Sequence, residues 1–143
     1  MQTFLPYSDF QKSAKCLDYR RLGKQRVETK QILMTLLGES NGWANHPAVK
    51  MWRGHETALI HYGIEMCLEW ISRGYKDTCL PWFYQKLEQI KFNRNLTGHP
   101  IPIWLGEEKF HASHRSNLLR KDPLWYNKFN WLEANNLPYI WPV

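Results

Sequence analysis

Four cationic side chains stand within seven consecutive positions near the start of the chain. They are Arg20, Arg21, Lys24 and Arg26, and the carboxylate of Glu28 follows. Residues three and four positions apart share one face of a helix, so a helix here would gather most of these charges with Glu28 on one polar surface. Such a surface binds an anion, for example a nucleic-acid phosphate, or simply faces water. The segment alone supports both interpretations equally.

The start of the chain offers a second reactive group, the α-amine of Met1. Gln2 is too large for the usual removal of the initiator methionine, so we expect the free amine to belong to Met1. An α-amine has a reference pKa near ~7.7–8.0 and a lysine near ~10.4, so an α-amine is neutral and nucleophilic at a lower pH. Lys24 is the competing amine, because neighbouring cations such as Arg20 and Arg21 favour the neutral form of a lysine.

Histidines supply further candidates. The late segment His-Ala-Ser-His-Arg-Ser ends in His114, Arg115 and Ser116, which are typical donors to the nucleic-acid backbone; the alternative is a helix start with an exposed histidine. His111 and His114 share a helix face, but no further Cys, His, Asp or Glu pattern joins them, so we predict no metal site. His46 is a candidate acid or base at neutral pH, or else a loop histidine that caps a helix.

Aromatic residues are abundant, with eight Trp in 143 residues. Trp52, Trp125 and Tyr126 could stack on an extruded nucleic-acid base. Tryptophan also fills protein cores, and we expect core packing for at least one of the three.

Composition indicates a globular protein, and the net positive charge favours an anionic partner. Hydrophobic residues make up 43%, charged residues 22%, and the net charge is +6. The three cysteines are widely spaced and fit neither a disulfide framework nor a zinc motif, so we expect reduced thiols in the cytoplasm. No apolar run approaches the ~20 residues of a membrane span. We therefore expect a cytoplasmic, nucleoid-associated monomer without a cofactor.

Helical periodicity and capping signals predict the elements that position these groups. A Ser-x-x-Gln capping box starts at Ser8, so only a short extended lead-in precedes the first helix, and at ~3.3 Å per residue it can fold back to the basic segment. The pattern predicts an all-α fold, a compact single-domain helical bundle over residues 1–143 with extended termini. The predicted helices cover about 8–18, 18–37, 48–53, 56–73, 82–90, 111–121 and 123–134, with a loop over 92–106 and an extended tail over 137–143.

Several stretches together, in this order, resemble the pyrimidine-dimer DNA glycosylase family typified by phage endonuclease V. They are the basic Tyr-Arg-Arg-Leu helix with its lysine, the Pro47 segment before a glycine turn and a long helix, the Arg-Gly-Tyr-Lys-Asp end of that helix, the His-Ala-Ser-His helix, and the Trp-Tyr-Asn-Lys-Phe segment after it. The first residues, Met-Gln-Thr-Phe-Leu-Pro, and the last, Leu-Pro-Tyr-Ile-Trp-Pro, resemble a bacterial branch of uncharacterised relatives.

The resemblance implies a compact helical glycosylase with abasic-site lyase activity. In that family an N-terminal amine forms a Schiff base with the sugar, a Glu beside the helix arginines assists, and the arginines clamp phosphates. Two positions depart from the pattern: Arg21 occupies the family's Glu position, and Gln2 follows Met1 where the family exposes a small residue. Glu28 could supply the carboxylate, although an ion pair with Lys24 is the alternative.

The resulting hypothesis is a DNA-repair or modified-base glycosylase that acts on damaged double-stranded DNA. The predicted catalytic residues are Met1, Gln2, Glu28 and His46. A non-catalytic nucleic-acid binder on the same scaffold is the main alternative, and an enzyme acting on nucleotides or RNA is a third.

Overall fold

Helices make up the regular structure of the part of the chain that the computed structural model describes, which is residues 1–92 and 101–143 without the side chain of Phe92. The α-helices are α1 (Phe10–Cys16), α2 (Tyr19–Leu36), α3 (Pro47–Lys50), α4 (Glu56–Ser72), α5 (Leu80–Phe92), α6 (Glu108–Lys121) and α7 (Pro123–Tyr126), and a 3-10 turn covers Asn127–Phe129. These residues contain no strand, so the predicted all-α fold class is confirmed.

Helix α4 lies at the centre and packs against α1, α2 and α5. Two glycines allow the close approach. A Cβ added at Gly63 would lie 2.5 Å from the ring of Phe83 on α5, and one added at Gly23 would lie 3.0 Å from the ring of Trp70. Gly63 thus permits the close packing of α4 against α5, and α2 continues through Gly23 without interruption.

Caps set the break between α1 and α2. Asp9, one residue after the predicted cap, accepts a hydrogen bond from the Lys12 N–H, and α1 ends at Cys16. Asp18 then starts α2, because its side chain accepts from the Arg21 N–H. The predicted start of α4 is confirmed, while α5 and α6 extend beyond their predicted limits and α3 is shorter.

The predicted helix over 123–134 is wrong in its second half. Asp122 and Pro123 start α7 as predicted, but Asn130 adopts the left-handed region at φ 57 and stops the 3-10 turn. The chain then runs back along α6, where Arg115 pairs with Glu133. This end is fixed by tertiary contacts that no local pattern reveals. Residues 93–100 of the predicted loop lie outside the described residues.

The remaining expectations concern thiols and membranes. Cys16, Cys67 and Cys79 are buried free cysteines, and burial raises the pKa of Cys16 to about 12. None of the helices in the described ranges is long and apolar enough to cross a membrane.

Candidate active site

A cleft of about 800 Å³ opens between the N-terminal segment, the start of α2 and the end of α6. It brings together three predicted catalytic residues with three predicted phosphate-binding residues. Its lining comprises Met1, Gln2, Phe4, Asp18, Tyr19, Arg20, Arg21, Lys24, Gln25, Glu28, Lys121, Asp122, Trp125 and Tyr139.

Helix α2 holds the first residues of the chain with two polar side chains. Gln25 accepts from the Phe4 N–H at 2.9 Å and donates to the Gln2 carbonyl at 2.9 Å. Glu28 accepts from the Gln2 N–H at 3.3 Å. Residues three apart share a helix face, so Gln25 and Glu28 grip the same short segment. The residue that follows the free amine is thereby fixed against a carboxylate.

Helix α6 holds the same segment from another side. The Leu5 N–H donates to Nδ1 of His114 at 2.9 Å, and the Leu5 carbonyl oxygen lies 2.7 Å from Nδ1 of His111. Arg115 donates to the Pro6 carbonyl at 2.7 Å. A buried extended segment outside any sheet needs such partners, because its backbone groups are cut off from water.

Two aromatic residues of the core complete this arrangement. The hydroxyl of Tyr62 lies 2.8 Å from the Phe4 carbonyl oxygen, and the Trp52 indole N–H donates to the Thr3 hydroxyl at 2.9 Å. Trp52 is fully buried. The structure therefore places it in the core, in contrast to the predicted stacking on a base.

The predicted phosphate-binding residues of α6 also lie inside the protein and do not line the cleft. His114 and Ser116 are fully buried, and Ser116 donates to the Ala134 carbonyl. Arg115 forms ion pairs with Glu108 and Glu133. Burial, with a smaller contribution from the charge of His111, lowers the pKa of His114 to about 3. These donors are engaged in holding the chain itself, which corrects the expectation that they face DNA.

Asp18 ties the basic end of α2 to α7. It forms an ion pair with Arg21 at 3.1 Å and accepts from the Tyr126 hydroxyl at 2.6 Å. Burial would raise its pKa, but the hydrogen bonds from Tyr126 and Arg21 outweigh burial and hold the pKa below its ordinary value. Tyr126 is fully buried, so it supports α2 and does not present its ring to a base as predicted.

The cations of the basic segment separate into two groups. Arg26 does not line the cleft. It pairs with Asp77, and its guanidinium lies over the Trp70 ring at 4.5 Å from the ring centre. Arg20 and Lys24 are exposed along the cleft. Of the four cations in the basic segment, Arg26 is thus the one that takes part in the packing of α2 against α4.

Lys121 is a cleft residue that sequence reasoning missed. It ends α6, and burial together with the nearby charges of Arg21, Arg120 and Lys24 lowers its pKa. The signal in the sequence was the basic pair Arg120-Lys121 at the end of a helix. Nothing local connected that pair with α2, because only the tertiary fold brings the two helix ends together.

Of the predicted stacking aromatics, Trp125 is the one that lines the cleft. Its indole N–H donates to the Cys16 carbonyl at 2.8 Å, and the Lys128 ammonium lies 3.4 Å from the ring centre. The lining contains three further aromatic residues, which are Phe4, Tyr19 and Tyr139 of the C-terminal tail.

His46 lies in the electrostatic field of the N-terminus. Its pKa is lowered, first by burial and then by the positive charge of the Met1 amine, while Glu28 acts in the opposite direction. Its Nδ1 accepts from the Ala48 N–H at 2.9 Å, so it also caps α3. Met1, Gln2 and Glu28 thus line the cleft, whereas His46 lies outside its lining but near enough for the charges of the Met1 amine and Glu28 to affect its pKa.

Comparison with known families agrees with this arrangement. The profile of the family described as pyrimidine dimer DNA glycosylase matches residues 1–90. The chain belongs to this family. Comparisons with curated proteins and with solved structures found no match. Membership in the pyrimidine dimer DNA glycosylase family implies a DNA-repair glycosylase with damaged DNA as its substrate.

The match covers the N-terminal segment, helices α1 to α4 and most of α5, so it includes the amine, Glu28 and the basic end of α2. Lys121 and Trp125 come from beyond the matched residues. The lining of the cleft brings the Met1 amine, a carboxylate and several cations together around one space.

Proposed function

We propose that the chain is a DNA glycosylase with abasic-site lyase activity, and that the α-amine of Met1 is its nucleophile. The amine nitrogen forms a bond to C1′ of the damaged nucleotide. The glycosidic C–N bond breaks, and its electron pair leaves with the base, which takes up a proton. Loss of the amine proton and opening of the sugar ring give an imine. Removal of a C2′ proton then expels the 3′ phosphate, which cleaves the strand.

One observation carries this proposal: the fixed N-terminus lies beside a carboxylate in a cationic cleft. The Gln2 N–H is bonded to Glu28, and Met1 lines the same cleft as Arg20 and Lys24. Buried hydrogen bonds to residues 2–6 fix the direction in which the chain presents its amine. A nucleophile held in this way loses little entropy when it attacks.

Glu28 takes the role that the family assigns to a glutamate at the position of Arg21. Seven residues separate the two positions, which corresponds to nearly two helical turns, so both side chains lie on the same face at a spacing of about 10 Å along the axis. In our proposal Glu28 accepts the C2′ proton. His46, whose pKa is lowered, is neutral at pH 7; because its Nδ1 accepts from the Ala48 N–H, its proton is on Nε2, where it donates a hydrogen bond in the proposed site. Arg20, Lys24 and Lys121 contact phosphates.

Borohydride trapping on an abasic-site oligonucleotide tests the nucleophile. The protein carries any tag at its C-terminus, so that Met1 is free. We expect N-terminal acetylation to abolish the adduct, whereas Lys24→Gln retains it. Glu28→Gln should still form the adduct, but strand cleavage, which needs removal of the C2′ proton, should slow by about 10²–10⁴-fold, as for removal of an acid or base. An adduct that survives acetylation and disappears in Lys24→Gln would assign the nucleophile to Lys24.

The alternative function is a non-catalytic binder of damaged DNA. The observation in its favour is Arg21, whose guanidinium pairs with Asp18 where the family has its catalytic glutamate. The same assay separates the two functions. If the wild-type protein binds the abasic duplex at equal salt but forms no adduct, the binder is correct.

The cationic cleft is tested independently by charge reversal. Arg20→Glu together with Lys24→Glu should weaken duplex binding, and the slope of log affinity against log salt should fall by about 2, since each phosphate contact contributes ~0.9. Reversal of Lys76 and Lys91, which lie outside the cleft lining, is the matched control. Equal loss in both pairs would mean that only net charge matters.

A further inference from the structure

Trp43 is displayed at the surface in an unusual conformation. Its side chain is 59% exposed, and its backbone lies in the left-handed region at φ 62. Bulky residues rarely adopt this region, and such outliers concentrate at functional sites. An exposed tryptophan gains little from folding, so stability does not account for this residue in this conformation.

The loop that carries Trp43 is held on both sides. Before it, the Thr35 hydroxyl donates to the Gly42 carbonyl at 2.7 Å. After it, the His46 N–H donates to the Trp43 carbonyl at 2.8 Å. The backbone that carries the Trp43 indole is therefore fixed by hydrogen bonds on both sides.

Trp43 also lies next to the proposed reaction centre. Its ring packs edge-on against His46, with ring centres 5.9 Å apart and an interplanar angle of 84°. His46 is the residue whose pKa responds to the charge of the Met1 amine and to Glu28. Trp43 does not line the cleft. It therefore lies next to the proposed sugar-binding space but outside it.

We propose that Trp43 inserts into the base stack of damaged duplex DNA and fills the space left by the displaced nucleotide. This inference rests on the proposed function, because an enzyme that acts on a nucleotide inside a duplex has to open the base stack to reach it. Unstacking costs energy, and an apolar ring wedged between base steps compensates for it. The indole provides a large aromatic surface that stacks on any base, so this contact recognises the gap without reading sequence.

Binding to a duplex that contains a tetrahydrofuran abasic analogue tests the proposal, since this analogue cannot form a Schiff base. The measured quantity is the affinity for that duplex relative to the intact duplex. Trp43→Asn removes the ring, and asparagine tolerates the left-handed backbone. We expect it to reduce the preference about tenfold while intact duplex binds as before. Trp43→Phe should retain part of the preference. Tyr84→Ala, at an exposed aromatic outside the cleft lining, should retain all of it.

Three results would overturn the proposal: an unchanged preference in Trp43→Asn, an equal loss on intact duplex, or a wild-type protein without preference. Borohydride trapping on a single-stranded abasic oligonucleotide separates this failure from that of the proposed function. A single strand has no stack to fill, so Trp43→Asn should form as much adduct there as wild type. A wild-type protein that forms no adduct would instead refute the amine chemistry, and the affinity ratios would still decide the role of Trp43. The thermal midpoint of Trp43→Asn should equal or exceed that of wild type, which excludes unfolding as the cause of a lost preference.

Discussion

The two ends of the chain are both extended, but they differ in how deeply they are buried. Residues 2–6 are buried, with Leu5 at 0% exposure, whereas Leu137 is 37% and Val143 is 72% exposed. Both ends are bonded to α6. His111, His114 and Arg115 bind the N-terminal segment, and Ser113, Ser116 and Asn117 bind the C-terminal tail.

The difference lies in what each end has to do. The N-terminal segment is gripped by α2 and α6 together, with Tyr62 and Trp52 beneath it, and it ends at the proposed nucleophile. The tail contributes Tyr139 to the cleft wall. A catalytic group has to be held within a fraction of an ångström, and buried hydrogen bonds achieve this. A residue that only forms part of the cleft wall, such as Tyr139, can be positioned less tightly.

The largest expected effect comes from breaking the grip of α2 on the N-terminal segment. The Gln25 side chain makes two hydrogen bonds to the N-terminal segment: it accepts from the Phe4 N–H and donates to the Gln2 carbonyl. Gln25→Leu removes both. Unsatisfied buried groups cost ~1–3 kcal/mol each, so the free energy of unfolding should fall by about 2–4 kcal/mol. Urea unfolding measures this, with the exposed Gln31→Leu as the control. A loss below that of the control would show that α6 alone holds the segment.

The helices could be predicted from sequence to the extent that their signals are local. The helical spacing of the apolar residues in α4 and the Asp-Pro start of α7 are both visible in short stretches of sequence. The end of α7 was not predictable, because Asn130 and the return of the chain along α6 depend on distant partners.

The candidate site divides in the same way. The proximity of Met1 to the basic helix follows from the short lead-in, and Glu28 follows from helical spacing. The α6 residues were misplaced because His, Arg and Ser donate equally well to a phosphate and to a buried backbone segment. Lys121 was not predicted as a cleft residue, because no local sequence pattern places the end of α6 beside α2.

The next effect concerns acidic pH. Burial, together with the nearby charge of His111, lowers the pKa of His114 to about 3, below its ordinary value of 6.5. Between these values the unfolded chain binds more protons, so the contribution of this residue to stability is complete above pH 6.5 and is lost as the pH falls toward 3. His114→Asn keeps an acceptor for the Leu5 N–H but does not titrate. The slope of the unfolding free energy against pH should therefore decrease by up to about 1.4 kcal/mol per unit.

Urea unfolding at intervals between pH 4.5 and 7.5 measures that slope. His61 is exposed on α4, and His61→Asn is the matched control. Identical slopes in wild type and His114→Asn would mean that His114 binds protons equally in the folded and unfolded states, so that its pKa is not lowered by folding.

The smallest effect is expected at the other end of the chain. The Ser113 hydroxyl donates to the Phe110 carbonyl at 2.7 Å and accepts from the Ile140 N–H at 3.2 Å. In Ser113→Ala the Ile140 N–H is partly exposed and can turn to water, so the free energy of unfolding should fall by only about 0.5–1.5 kcal/mol. The tail does not carry the amine, so the yield of the borohydride adduct should match wild type. A lower yield at unchanged stability would show that the tail positions the nucleophile too, and the contrast between the two termini would no longer hold.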